Sequence, residues 1–273
     1  MNKNKYLVLH DFTPVGDAAF MYAINLSNNV SNEILLLHLV NNKSQVNEAE
    51  AKLNKIIREV ENLNLKAGKD TKITPFVRVG NIFEDVSKVV KEESVNLIVM
   101  GTHGAKGMQK VFGSFAMKVI TSSDVPFIVI QKDTKVETVK KILVPIDLEK
   151  ESLQIVNIAG DLANIFNAEI FLIAEKQEDQ LLNRKIKNRI LIVKKQYEER
   201  GIPCNVEFIS MSGSYQQKVL TYCREKEIDL IAIAYHTASF LPQFDKFAQT
   251  LITNEDMLPC AIVNSKLASS LYY

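Results

Sequence analysis

Hydrophobic residues along this chain fall into short continuous runs, separated by stretches in which they recur every three or four positions. Residues 6–10 form a largely apolar run, and Asp11, Phe12, Thr13 and Pro14 follow it. That order suits a strand and then a helix, with Thr13 as the cap and Pro14 at the favoured first position. Ala18, Ala19, Tyr22, Ala23 and Leu26 continue as a helical stripe. Runs at 34–40, 73–79, 97–101 and 127–131 read as strands, and helices are predicted over 46–63, 82–93 and 114–122. In the first of these helices Leu53, Ile56, Ile57, Val60 and Leu63 fall on one side and charges on the other. The second half repeats the order, with strands at 142–146, 169–173, 205–209, 230–234 and 261–264 and helices at 152–166, 183–200, 216–226 and 246–253. Strands that are apolar throughout and separated by helices imply parallel strands buried on both faces.

The repeat can be measured. Gly80 and Gly213 lie 133 positions apart, as do Asn96 and Asp229, Leu97 and Leu230, His103 and His236, and Pro126 and Pro259. The first strands are offset by 136, from Leu7 to Leu143 and from Asp11 to Asp147, and such drift belongs in loops. The predicted fold is therefore α/β, as two tandem doubly wound parallel-sheet, Rossmann-like domains at 1–133 and 139–265. A polar linker around 132–140 joins them, and residues 266–273 form a C-terminal tail.

Composition agrees and narrows the function. The 273 residues make two domains of about 135 each. With 33 basic against 32 acidic residues, no overall field draws the chain to nucleic acid or to a membrane. Cys204, Cys223 and Cys260 have neither metal-like spacing nor the even count of a disulfide framework. No apolar run reaches membrane-spanning or signal-peptide length, so a cytoplasmic protein is expected.

The chemistry concentrates where an apolar strand, 97–100, meets Gly101, Gly104, Gly107, Gly113 and Ser114. A glycine-rich turn that leads into a helix presents free N–H groups and a positive helix end, a natural anion cradle. Open parallel sheets bind ligands beyond the carboxyl ends of the strands, where strand order reverses. That rule selects Asp11 after strand one and Gly101 to Gly104 after strand four. Other nucleotide signatures are missing. The chain has no Gly-Lys-Ser or Gly-Lys-Thr, no G-x-G-x-x-G after its first strand and no G-x-S-x-G elbow.

These residues resemble the universal stress proteins in their tandem, two-domain form. The resemblance rests on a strand ending in Asp11, on Leu37-His-Leu-Val40, on Val79-Gly80-Asn81, and on Asn96 to Gly104. It implies an adenine nucleotide alpha hydrolase-like fold and a stress-response regulatory role with ATP, accompanied by Mg2+, as ligand. Members that bind ATP carry G-x-x-G, nine residues, then G-[S/T]; here eight residues separate Gly104 from Gly113. A missing residue removes up to about 3.5 Å of reach. Carried over, Asp11 would lie near the ribose and a phosphate-bound metal, and Leu39 and Met100 would line the adenine pocket. Gly101 and Gly104 would let backbone approach ribose and phosphates, and Gly113 and Ser114 would contact phosphate. The resemblance also implies that the two domains associate within the chain as a pseudo-dimer through 126–131 and 259–264, and it allows a homodimer of whole chains.

Each residue has a structural alternative. Asp11 suits a helix-capping acid, Gly101 and Gly104 suit turns, Ser114 suits an N-cap, and Met100 suits a core. Lys106 and Lys110 suit a solvated loop. His10, His38, His103 and His236 lack metal spacing. The second domain keeps Asp147 but reads Ala234 to Phe244 without glycine, and Phe240, Leu241 and Phe244 would occupy phosphate space. No nucleotide is expected there. The basic helix from Leu181 to Tyr197 reads as a solvated face. Two functions remain: an ATP-binding regulator acting on unknown protein partners, with at most weak hydrolysis and no assigned catalytic residue, or a nucleotide-free scaffold with both sites degenerate.

Overall fold

The computed structural model describes residues 4–30, 32–62, 71–102, 112–135, 138–210, 212–235 and 246–264, with only the backbone described at 29 and 112–115. The chain divides into two compact units, Met1–Glu137 and Thr138–Tyr273.

The first unit runs β1 (Asn4–Leu9), α1 (Pro14–Leu26), β2 (Asn32–Val40), α2 (Val46–Asn62), β3 (Lys72–Val79), α3 (Ile82–Glu92), β4 (Leu97–Thr102), α4 (Phe112–Ile120) and β5 (Phe127–Gln131). Its strands are all parallel in the order β3-β2-β1-β4-β5. The chain moves outward from β1 to β3 and then returns to the other side of β1, so β1 and β4 flank the reversal point. Pro75, which cannot donate to a ladder, lies in β3 at the end of this order. As the sequence suggests, Thr13 caps α1, its hydroxyl accepting from the Gly16 amide at 3.4 Å, and Pro14 opens the helix.

The second unit runs β6 (Lys141–Ile146), α5 (Ile155–Phe166), β7 (Glu169–Glu175), α6 (Gln180–Glu199), β8 (Cys204–Ile209), α7 (Tyr215–Lys226), β9 (Leu230–Tyr235), α8 (Lys246–Ile252) and β10 (Cys260–Asn264). Its strands, also parallel, repeat the order as β8-β7-β6-β9-β10. One hydrogen-bonded clamp marks the duplication. The Asn96 side chain accepts from the Lys5 amide at 2.8 Å while the Asn96 amide donates to the Lys5 carbonyl. Asp229 and Lys141 repeat both bonds in the second unit.

Two local expectations are corrected. Helix α4 begins at Phe112, so Ser114 sits inside the first turn and is not its N-cap. The amides of that turn have no partner within the helix. The second unit enters its first helix through a 3-10 turn, Lys150–Gln154, and α-helical geometry starts only at Ile155, where 152 was expected.

Candidate functional site

The carboxyl ends of β1, β2 and β4 open into a cavity of about 360 Å³. That volume lies in the range of roughly 300–1,000 Å³ usual for small-molecule sites. Asp11, Leu39, Met100 and Gly101 all line it, so four of the seven expected residues meet at one place. Gly104 lies outside the described residues; Gly113 and Ser114 occupy the first turn of α4, where only the backbone is described. Leu37, Val15 and Ile82 add apolar wall; His38, Asn41, Asn81 and Thr102 add polar groups to which sequence reasoning assigned no ligand role. Asn81 was visible only as part of a turn, and Asn41 carried no signal at all.

Gly101 is needed for packing whether or not a ligand is bound. A Cβ there would stand 2.2 Å from Val15 Cγ1 and 2.6 Å from the Val15 carbonyl oxygen. Such contacts are impossible, so only glycine lets α1 cross β4 this closely. The turn-residue alternative is thereby replaced by a helix-crossing role, and the crossing brings Val15 into the cavity wall.

Asp11 is held by its own turn. Its Oδ1 accepts from the Thr13 amide at 3.1 Å and from the Thr13 hydroxyl. Asp11 therefore supports the cap and is not itself the cap; Oδ2 has no partner among the described residues. Between them Phe12 takes a φ of 60°, a left-handed conformation uncommon outside glycine. Its amide donates to His10 Nδ1 at 3.1 Å. That bond requires an unprotonated Nδ1, so the proton of a neutral His10 sits on Nε2, 3.1 Å from Asp17 Oδ1. Burial pushes the His10 pKa below its ordinary value, against the opposing pull of Asp17 and Asp11. A neutral His10 thus fixes the strained turn that aims Asp11.

The start of α3, beside the cavity, is already satisfied. Asn81 accepts from the Phe83 and Glu84 amides at 3.1 Å each, and Asp85 accepts from the Asn81 amide at 2.8 Å. Those bonds to Asn81 and Lys88 hold the Asp85 carboxyl below the usual range. The Asn81, Phe83 and Glu84 amides of α3 are therefore already taken by its own side chains.

The equivalent region of the second unit is rebuilt. In the first unit the His10 carbonyl accepts from His38 Nδ1 at 2.8 Å. The second unit has Ala174 at the His38 position, and the matching carbonyl, of Ile146, accepts instead from the Tyr215 hydroxyl at 3.3 Å. Tyr215 takes the place of Ile82 and stacks on Phe247 with ring centroids 5.3 Å apart. Burial raises its pKa strongly. Glu175 replaces Leu39 and pairs with Lys218. Pro145 replaces Leu9, and the β6–β9 ladder extends only over Ile142 and Leu143, against four positions between β1 and β4. A proline has no N–H to continue it. The apolar loop residues Phe240, Leu241 and Phe244, expected to fill this region, lie outside the described residues, as do His103 and His236.

Among the described residues no group of three or more His, Cys, Asp or Glu side chains is gathered as for a metal. Burial pushes the half-buried Cys204 thiol up to about 11 and the fully buried Cys223 and Cys260 thiols higher still, away from the thiolate form. No helix among these residues is long and apolar enough to cross a membrane.

Comparison with known proteins bears on the family and the fold. The sequence profile of the universal stress protein family matches residues 4–131. A universal stress protein of Methanocaldococcus jannaschii is 27% identical over 154 aligned residues, covering 47% of this chain and 94% of that protein. The crystal structure of a universal stress protein from Archaeoglobus fulgidus superposes with a TM-score of 0.77 at 17% identity, covering 97% of this chain and all of that one. A functionally unknown protein from Pseudomonas aeruginosa superposes with a TM-score of 0.68 at 14% identity, over 99% of this chain and 96% of its own. At these identities the two structures speak to the fold.

Proposed function

We propose that this chain, whose first domain matches the universal stress protein family over residues 4–131, is a stress-response regulatory protein that binds ATP in its first unit and no nucleotide in its second. The observation that carries this reading is the contrast between the units. At the reversal point of its sheet the first has a cavity walled by Leu39, Met100, Ile82 and Val15. At the matching place the second has Tyr215 bonded to the Ile146 carbonyl and Glu175 paired with Lys218. An apolar slot suits a purine ring; a half-buried phenol and an ion pair do not leave one.

In this reading the ribose and phosphates run from Asp11 toward the first turn of α4, where the Gly113 and Ser114 amides have no intrahelical partner. Gly104 would lie along that path. Mg2+ fits as a companion of the phosphates. A single carboxylate with a free oxygen, as Asp11 presents, matches a cation held mainly by phosphate and water oxygens. No general base is assigned, and the output is a changed contact with a protein partner.

The nucleotide-free scaffold is favoured by one observation: packing against Val15 accounts for Gly101 without a ligand. Mass spectrometry of small molecules released from the purified protein separates the two readings. The ATP reading expects adenine nucleotide, and a melting temperature that rises with millimolar ATP and Mg2+. Absence of both results favours the scaffold.

A further inference from the structure

Helix α6 is the second unit's link between β7 and β8, the position that α2 holds between β2 and β3. The outer face of α2 is polar, with Lys52 paired to Glu48 and Lys55 to Glu59. The fold therefore does not require an apolar outer face at this position. In α6, Ile186, Ile190, Val193 and Tyr197 are buried, yet Leu181, Leu191 and Ile192 are 78%, 63% and 69% exposed. Together with Leu182 these make four of the five large apolar side chains exposed among the described residues. The reading of this helix as an ordinary solvated face is thus revised.

Its charge is as one-sided as its exposed surface. From Gln180 to Tyr197 the helix has six basic residues and no acidic one. Arg189 is committed to the carbonyls of Asp147 and Glu149, and Lys194 and Lys195 pair with Glu198 and Glu199. Arg184, Lys185 and Lys187 have no acidic partner among the described residues. Positions 181, 184, 185, 188 and 192 share one helical face, so Arg184 and Lys185 lie beside Leu181 and Ile192. Next to them a cleft of about 270 Å³ is lined by Leu153, Val156, Ile192 and Val193, together with Lys185.

We infer that this face docks an acidic amphipathic helix of another protein, with one of its apolar side chains entering the cleft and its carboxylates meeting Arg184, Lys185 and Lys187. An anionic bilayer would satisfy the charge, but its fluid, flat surface presents nothing to enter the cleft; a protruding side chain does. The inference is independent of whether the first unit binds ATP.

The test uses the full chain and a fluorescein-labelled 18-residue peptide of leucine and glutamate, patterned as an amphipathic helix. Anisotropy should show saturable binding that falls at least tenfold in the Leu191→Glu, Ile192→Glu double variant and when lysine replaces glutamate in the peptide. Hydrogen exchange should slow in α6 on binding. Both substituted side chains are already exposed, so the melting temperature should hold. No binding, or binding indifferent to the double variant, would overturn the inference. So would stronger retention on phosphatidylserine vesicles than on the peptide, or a self-association in light scattering that the double variant abolishes.

Discussion

The hydroxyl of Tyr215 donates to the main-chain carbonyl of Ile146 across 3.3 Å, and so satisfies in the second unit a buried acceptor that His38 satisfies in the first. A carbonyl shielded from water needs a donor, and with Ala174 in place of His38 the donor it meets is a phenol reaching in from the start of α7. The donor changes and the ring comes with it, into the space that the first unit keeps beside Ile82.

Removing that hydroxyl should therefore cost stability. Tyr215→Phe is expected to lose about 1 kcal/mol, the usual net value of such a bond, and Tyr215→Ala about 2–3 kcal/mol, below the cost of deleting a fully buried aromatic because this ring is half-buried. Urea unfolding followed by circular dichroism reads both. Equal effects of the two variants would place the energy in the hydroxyl alone.

Gly101→Ala should destabilise the first unit by about 1–3 kcal/mol through overpacking against Val15. Val15→Ala in the same chain should restore only part of the loss, because the added methyl also meets the Val15 carbonyl. Thermal melting of the two single variants and the double variant checks this; additive losses would contradict the proposed contact.

Acid should loosen the Asp11 turn through His10. Burial lowers the His10 pKa, so as pH falls below about 6.5 the unfolded chain takes up the proton before the folded one. The stability that a neutral His10 contributes is present above that pH and is lost on descent toward its lower folded value. The wild-type melting temperature should drop more steeply between pH 7 and 5 than that of His10→Gln. Parallel curves would remove His10 as the cause.

The strand and helix order was legible because each element carries its own periodicity, and the repeat was legible from Gly80 and Gly213 and from Asn96 and Asp229. Asp11 and Gly101 could be placed at one site because strand ends in a doubly wound sheet converge on the reversal point, and Leu39 and Met100 were added to it by the family resemblance alone. The rest required three dimensions. Gly101 reads as a loop glycine until α1 is seen to cross it at Val15, and Ser114 reads as a cap until α4 is seen to start at Phe112. Tyr215 follows an unremarkable turn, and nothing local announces that its ring points at Ile146. The exposed face of α6 was hidden for a similar reason. Leu181, Leu191 and Ile192 look like core residues in a list, and only the burial of Ile186, Ile190, Val193 and Tyr197 shows which stripe faces inward.

Isothermal titration with ATP and Mg2+ tests the central claim most directly. The account predicts one site per chain, weakened at least tenfold by Asp11→Ala and unchanged by Asp147→Ala. A stoichiometry of zero or two, or equal sensitivity to the two aspartate substitutions, would contradict it.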